Sequence, residues 1–420
     1  MHDNALEYLE SLGHKGIHLG LGPTARLLKQ FDNPHKEYTS ILIGGTNGKG
    51  SAAAILSSIL GKTGKNIGLY TSPHLIDFRE RIRVNGTMIS QERLSNLVEM
   101  VREKSRDDVT FFEFTTVLAL LHFYLEGVDI AVLEVGMGGR LDATNLVSPQ
   151  ASIITNISLE HREYLGNDIE SIAWEKGGII KNNGCCITAA TQPAAIDVLE
   201  NICLQKGSKL IRYGKDMKIR KAKGGGISYR GLNKTYGNLR LPLIGKHQVK
   251  NAALALAAVE ILADSGLDVD DNAVSEGIRD VRWEGRLEIL CNDPQIVVDG
   301  AHNPAGISAL CRSLTADFSY ESLICVFGVL SDKDSKGMLK RLAGVANHII
   351  LTSPRDSRAS KIDGLGLLAE KLGVSHEIVE GSGKALERAS SLAGKKDLIC
   401  VTGSIYLVGE IKNTFSFNLF

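Results

Sequence analysis

A chain of 420 residues is longer than one hydrophobic core usually supports, so two domains are the default expectation. Its 48 lysines and arginines balance 48 aspartates and glutamates, which leaves no global field favouring nucleic acid or an anionic membrane; any anion site has to be local. With 43% hydrophobic and 23% charged residues the composition is that of a soluble globular enzyme, and no apolar run is long enough to span a bilayer.

The start, Met1-His2-Asp3-Asn4, lacks the basic and apolar regions of a signal peptide. Seven cysteines are odd in number, scattered and without C-x-x-C spacing, and several read as small core hydrophobes, such as Cys325 in the apolar run 323–327. These features lead us to expect a cytoplasmic protein.

Taken in chain order, the first apolar run, 41–43, leads into Gly45-Thr46-Asn47-Gly48-Lys49-Gly50-Ser51 and then a small-residue helix from Ala52. A strand, a glycine-rich turn and a helix start are the context of a phosphate-binding loop. Glycines let successive N–H groups aim at phosphate oxygens, Lys49 can reach a terminal phosphate, and Ser51 can touch Mg²⁺. The motif is not a strict Walker A, since Ile43 stands where its first glycine would fall and Gly50 separates Lys49 from Ser51. A plain glycine-rich turn is the bland alternative.

Further short apolar runs at 67–70, 130–135, 153–157 and 186–189 alternate with helical segments, the pattern of a parallel sheet covered on both faces. Glu134 lies inside one of these runs. A carboxylate there is costly unless it meets a cation, either Mg²⁺ or, more plainly, Arg140. In open α/β sheets ligands sit beyond the carboxyl ends of strands, where Glu134 and the 45–51 loop would both lie.

Residues 218–243 are basic and glycine-rich, with turn signals at Gly224-Gly225-Gly226 and Tyr236-Gly237, and read as β-hairpins appended to the sheet. A long helix is expected over 247–263. After Trp283-Glu284-Gly285-Arg286 the alternation restarts, with strands at 296–298, 323–327, 348–351 and 398–401. The boundary therefore falls near 283–287, giving domains 1–284 and 285–420.

Three stretches together resemble the Mur ligase superfamily, and specifically the folylpolyglutamate synthase/dihydrofolate synthase family. They are the 45–51 loop; Thr71-Ser72-Pro73-His74-Leu75 with Glu80-Arg81-Ile82; and Glu134-Val135-Gly136-Met137-Gly138-Gly139-Arg140-Leu141-Asp142-Ala143-Thr144-Asn145. The resemblance continues in order through Phe111-Phe112-Glu113-Phe114-Thr115, His161, Ala173-Trp174-Glu175-Lys176-Gly177, Gly245-Lys246-His247-Gln248 with Asn251, Trp283-Glu284-Gly285-Arg286, Asp299-Gly300-Ala301-His302-Asn303-Pro304 and Gly403-Ser404-Ile405-Tyr406.

The resemblance implies a P-loop, Mur-ligase-like central α/β domain with a mostly parallel sheet, followed by a smaller Rossmann-like C-terminal domain. It implies an ATP-dependent amide ligase in which a substrate carboxylate becomes an acyl phosphate that the amine of L-glutamate attacks. The expected substrates are dihydropteroate and/or reduced folates, handled by a monomer with no nucleic-acid or membrane partner.

By motif matching, Ser51, Ser72, Glu134, His161 and Lys176 are expected around Mg²⁺, or Mn²⁺ given an imidazole ligand. Lys176 corresponds to a lysine that is carbamylated in the family. Asn47, Gly48, Lys49, Gly50, Ser51, Asn251, Arg286, Asp299 and His302 match nucleotide contacts, and Lys49, Glu134, His161, Lys176 and Arg286 carry the catalytic expectation. Phe111, Phe112, Glu113 and Phe114 combine aromatic surface for a flat ring with an acceptor carboxylate, although the same pattern also describes a buried helix face. Leu141, Asp142, Ala143 and His74 complete the expected substrate contacts, and Arg355-Asp356-Ser357-Arg358 is a basic loop suited to carboxylates.

Two departures stand out: Glu160 replaces the family's usual Asp before His161, and Leu42 and Gly44 replace a His and an Ala before the loop. The alternatives are a monofunctional folylpolyglutamate synthase, a muramyl-peptide ligase, a P-loop kinase that stops at phosphoryl transfer, and a nucleotide-binding module without catalysis.

Overall fold

The computed structural model describes residues 2–16, 18–222 and 225–417. Met1 and Gly224, used above in the terminal and turn readings, lie outside the described residues. The chain divides into two compact units. Met1–His74, Phe78–Pro242 and Gln248–Val281 form the first; Leu75–Asp77, Leu243–His247 and Arg282–Phe420 form the second.

The first unit is built on eight strands: β1 (Thr39–Gly44), β2 (Ile67–Tyr70), β3 (Ile82–Val84), β4 (Thr87–Met88), β5 (Ile130–Glu134), β6 (Ala151–Ile154), β7 (Cys185–Thr188) and β8 (Lys209–Arg212). Their order is β4-β3-β2-β5-β1-β6-β7-β8. From β2 to β8 along this order every pairing is parallel, and the β2–β3 and β3–β4 pairings at one edge are antiparallel. Central strands buried on both faces need continuous apolar sequence, and every residue of β5 is indeed buried. The helix Phe111–Leu125 covers one face and starts with a capping box, in which Thr110 and Glu113 satisfy each other's backbone ends.

The run at 153–157 starts and stops earlier than the sequence suggests. β6 ends at Ile154 rather than continuing through 157, because Thr155 and Asn156 turn away to hold the loop after β1. The 218–243 region also differs from expectation. β9 (Lys218–Lys221), β10 (Ile227–Arg230) and β11 (Thr235–Leu239) form an antiparallel sheet of their own rather than extending the large one. Alternation explains this. Ile219, Ile227, Tyr229, Tyr236 and Leu239 are all buried on one side, and three strands with one apolar face suffice when a helix lies beneath.

That helix is Lys246–Asp264. Its buried Glu260 accepts the Tyr229 hydroxyl at 2.6 Å and the backbone N–H groups of Leu232, Asn233 and Lys234. A Cβ at Gly231 would fall on the Glu260 carboxylate, so the turn closes around this one side chain.

The second unit adds β12 (Glu288–Asn292), β13 (Gln295–Val298), β14 (Leu323–Phe327), β15 (His348–Leu351), β16 (His376–Ile378) and β17 (Leu398–Thr402), ordered β12-β13-β17-β14-β15-β16. All pairs but β12–β13 are parallel. Helices Pro304–Asp317, Ser335–Leu342 and Ile362–Lys371 pack on one face, and Ser382–Leu392 and Ile405–Phe417 on the other. This is the doubly wound, Rossmann-like arrangement expected. Among the described residues no helix is long and apolar enough to cross a membrane.

Replacing Glu260 by Ala strands four donors at once, the buried Tyr229 hydroxyl and three part-buried backbone N–H groups. It is expected to cost about 2–3 kcal/mol, and Tyr229→Phe clearly less, as read from urea unfolding midpoints. Equal, negligible shifts would refute the clamp.

Candidate active site

Four adjacent strands, β2, β5, β1 and β6, run parallel and release their carboxyl ends side by side. The sequence just beyond each end carries the candidate chemistry: Ser72 after β2, Glu134 at the end of β5, residues 45–51 after β1, and residues 155–161 after β6. Neighbouring strands lie about 4.8 Å apart, so these segments share one edge.

The loop after β1 is held tightly. Gly45 has φ +127°, and a Cβ there would come within 2.0 Å of the Thr155 hydroxyl; Gly48 has φ +86°, and a Cβ there would come within 2.6 Å of the Asn251 amide. Only glycine fits either position. Thr46 N–H donates to the Asn156 carbonyl at 2.9 Å, and Asn47 N–H to the Asn156 side-chain oxygen at 3.0 Å. Thr155 Oγ1 and Asn156 Nδ2 both donate to the Asn47 carbonyl. The loop thus keeps its shape through side chains from the next strand.

Helix Lys49–Leu60 begins at Gly48. Lys49 Nζ contacts the Thr46 carbonyl at 3.3 Å. Gln248 Nε2 donates to Ser51 Oγ at 3.2 Å and Asn251 Nδ2 to Gln248 Oε1 at 3.0 Å, so Asn251 is tied to the loop through Gln248. Glu134 is buried, and its Oε2 accepts Ser72 N–H at 3.0 Å, which joins two of the expected metal-binding residues directly.

Lys176 is 1% exposed. Its Nζ donates to the Gly45 carbonyl at 3.0 Å and to Glu160 Oε1 at 2.6 Å. Burial lowers the Lys176 ammonium pKa despite the opposing pull of Glu160. Burial alone would raise the Glu160 acid, but Lys176 and Lys49 overcome it and hold the group down at about 2. His161 follows Glu160 at φ +44°, a left-handed conformation unusual for a non-glycine residue and of the kind that concentrates at functional sites.

The expected ring-binding residues divide. Phe112 lies over Gly136, where a Cβ would strike its ring, and Phe111 packs against Phe78 with the Arg81 guanidinium 5.2 Å from its centroid. Arg81 Nε also donates to His74 Nδ1 at 2.9 Å. Phe114, in contrast, is fully buried edge-on to Tyr8; it is a core residue, because its position in the helix packs against the N-terminal helix His2–Gly13, and offers no surface to a substrate. Glu113 spends Oε2 on Thr110, while its buried Oε1 has no hydrogen-bond partner among the described residues. Asp142 accepts from Met137 N–H and from Thr144, and so braces the loop that carries Leu141 and Ala143; burial raises its pKa.

Arg286, Asp299 and His302 form a group of their own in the second unit. Asp299 is buried and accepts Leu287 N–H at 3.0 Å and Ala301 N–H at 2.9 Å. Burial raises its pKa against the pull of Arg286. Leu287 takes φ +48° to make its bond, and a Cβ at Gly300 would meet the Arg286 guanidinium, so this turn is shaped around Arg286. His302 Nδ1 is 2.9 Å from the Gly300 carbonyl.

Sequence reasoning passed over Thr155, Asn156 and Gln248 as working residues. The available signal was a pair of polar side chains ending the apolar run of β6.

Two family models match the chain: the Mur ligase middle domain over residues 43–259, and the Mur ligase, glutamate ligase domain, over 285–405. A Bacillus subtilis dihydrofolate synthase/folylpolyglutamate synthase is 34% identical over 94% of this chain and 95% of its own length. A probable bifunctional folylpolyglutamate synthase/dihydropteroate synthase of Haloferax volcanii is also 34% identical, over 98% of this chain, but the chain spans only 50% of that longer relative. Among solved structures, E. coli FolC in complex with DHPP and ADP superposes with a TM-score of 0.92 at 31% identity, covering 100% of this chain and 98% of that one. On the loop geometry, the two matched domains and this similarity along nearly the whole chain, the protein belongs to the Mur ligase family, in its folylpolyglutamate synthase/dihydrofolate synthase branch.

Proposed function

We propose that this protein is an ATP-dependent amide ligase that adds L-glutamate to dihydropteroate and/or reduced folates, extending the latter into γ-linked polyglutamates. It acts as a cytoplasmic monomer on small molecules. The observation that carries the reading is the buried Lys176 amine, bonded to the phosphate loop itself at Gly45 and lying on the edge that also holds Glu134.

The donor set fits Mg²⁺ with a nucleotide. Glu134, Ser72 and Ser51 offer hard oxygens, which Mg²⁺ or Mn²⁺ prefers, and His161 adds an imidazole. An ammonium at Lys176 would oppose a cation, whereas a carbamate there supplies oxygens and removes the positive charge. The lowered Lys176 pKa favours the neutral amine that carbamylation requires. A bound divalent ion supplies charge neutralisation between two anions that have to meet, the triphosphate and the substrate carboxylate.

The chain's own residues do the rest. Residues 48–51, at the start of the helix, present backbone N–H groups to phosphate and Lys49 adds its charge, while Asn251, Arg286, Asp299 and His302 are assigned to the nucleotide. Phe111 and Phe112 offer faces for a flat bicyclic ring, and Glu113 Oε1 offers an unused acceptor to ring N–H groups. His74, Leu141, Asp142 and Ala143 line the same substrate. The acyl phosphate is kept from water until the glutamate amine attacks its acyl carbon and phosphate leaves. Residues 1–284 serve nucleotide and pteroate, and 285–420 serve glutamate besides supplying Arg286, Asp299 and His302 to the nucleotide.

Phosphate release tests the assignment. Glutamate-dependent release with dihydropteroate and with tetrahydrofolate is expected; release with only one acceptor reduces the protein to one activity, and glutamate-independent release contradicts the ligase reading. Lys49→Ala is expected to lower kcat by roughly 10²–10³ with an unchanged unfolding midpoint, and activity within a few-fold of wild type would contradict its role. Wild-type protein in ¹³C-bicarbonate should show a carbamate resonance by NMR that Lys176→Arg lacks, and bicarbonate depletion should lower turnover. An identical spectrum in both proteins would exclude the modification.

A further inference from the structure

The small sheet β9–β11 has a charge distribution that neither the fold nor the reaction described above uses. In a chain with no net charge, residues 215–250 carry ten lysines and arginines against a single acid, Asp216. The Asp216 carboxylate is occupied at the Arg212 backbone N–H.

Strand alternation turns Ile219, Tyr229 and Tyr236 inward and leaves Lys218, Arg220 and Arg230 exposed on the opposite face, with Arg240 exposed just past β11. The register places Lys218 directly across from Arg230, and Arg220 across from Ser228. Like charges in directly opposed positions destabilise a sheet, so folding gains nothing from this pair. None of Lys218, Arg220, Arg230 and Arg240 forms an ion pair with a described residue. Lys234, at the same end, is 3.8 Å from Asp271, and Glu260 lies beneath the sheet with its oxygens taken by Tyr229 and the turn.

We propose that this outer face binds the anionic γ-glutamyl tail of folate substrates and products, an inference that rests on the ligase reading above. Charge complementarity and spacing both fit that occupant. Successive α-carboxylates of an extended γ-linked chain are five backbone bonds, about 6 Å, apart. Lys218 and Arg220, two residues apart on one strand, are separated by about 6.7 Å, and cross-strand partners by about 5 Å.

Reach fits too. Glu260, which clamps the β10–β11 turn, is twelve residues and therefore about 18 Å along its helix from Gln248, the residue that touches Ser51. Three γ-glutamyl units span that length along the helix, and the outer face lies one sheet thickness beyond it. A single-stranded nucleic acid matches the face less well, because the aromatic rings that bases stack on are turned inward: Tyr229 is 1% exposed and Tyr236 6%.

The test compares wild type with the double variant Lys218→Gln/Arg230→Gln on monoglutamyl and pentaglutamyl tetrahydrofolate. The variant's KM for the pentaglutamyl substrate should rise roughly tenfold, a difference that shrinks as salt is added, while kcat and KM for the monoglutamyl substrate stay unchanged. Equal shifts for both substrates, or none, overturn the proposal. Fluorescence anisotropy with free γ-linked pentaglutamate provides a readout independent of turnover. Wild type should bind it more tightly than the variant, and tighter binding of a short single-stranded oligonucleotide than of pentaglutamate would overturn the assignment. A wild type that turns over no monoglutamyl substrate but still binds pentaglutamate through Lys218 and Arg230 would refute the ligase reading and leave the surface standing.

Discussion

The first unit depends on placing one lysine amine where water cannot reach it. Lys176 is almost wholly buried, and an unpaired charge at such a position costs several kcal/mol, so its partners are not optional. They are the Gly45 carbonyl and the Glu160 carboxylate. The first bond ties the helix Ile169–Gly177 to the loop after β1; the second ties it to the segment after β6. One buried lysine thereby sets the mutual position of three chain segments at the edge where an anion is to be received.

Parallel strand geometry supplies the remainder. Strands two apart in the order of a parallel sheet end within about 10 Å of each other, which is how Glu134, the glycine loop and the 155–161 segment come together although they are spread over more than a hundred residues. Asn156 and Thr155 then do for the loop what a second layer of hydrogen bonds does for any reactive constellation: they fix its backbone before a ligand arrives. In the second unit Asp299 plays the corresponding part. Both of its oxygens are used by backbone N–H groups, and the turn they hold, with Leu287 in a left-handed conformation, carries Arg286.

Charge is distributed unevenly for a reason that the total conceals. Cations cluster on the small antiparallel sheet, while carboxylates such as Glu113, Asp142 and Glu260 are buried and committed to their own backbone neighbourhoods. A neutral chain is thus compatible with strongly basic local surfaces, and the function of each surface follows from which side chains face outward.

The sequence by itself determined much of this. The alternation of short apolar runs with helical segments prescribes parallel α/β units, since only strands buried on both faces can be apolar throughout, and Gly45 to Ser51 prescribes a phosphate loop, since Gly45 and Gly48 occupy backbone conformations that other residues rarely adopt. What only the tertiary structure decided is which side chains face which neighbours. Phe114 reads in sequence like Phe111 and Phe112 yet is turned into the core; 218–243 reads as hairpins but closes on the helix Lys246–Asp264 through Glu260; and Asn156 and Gln248 become supports of the loop only because sheet order and helix packing bring residues 47 and 51 to them. Periodicity and turn chemistry are local properties and are written along the chain. Partnership between residues a hundred or more positions apart is settled by packing, which a single sequence does not spell out.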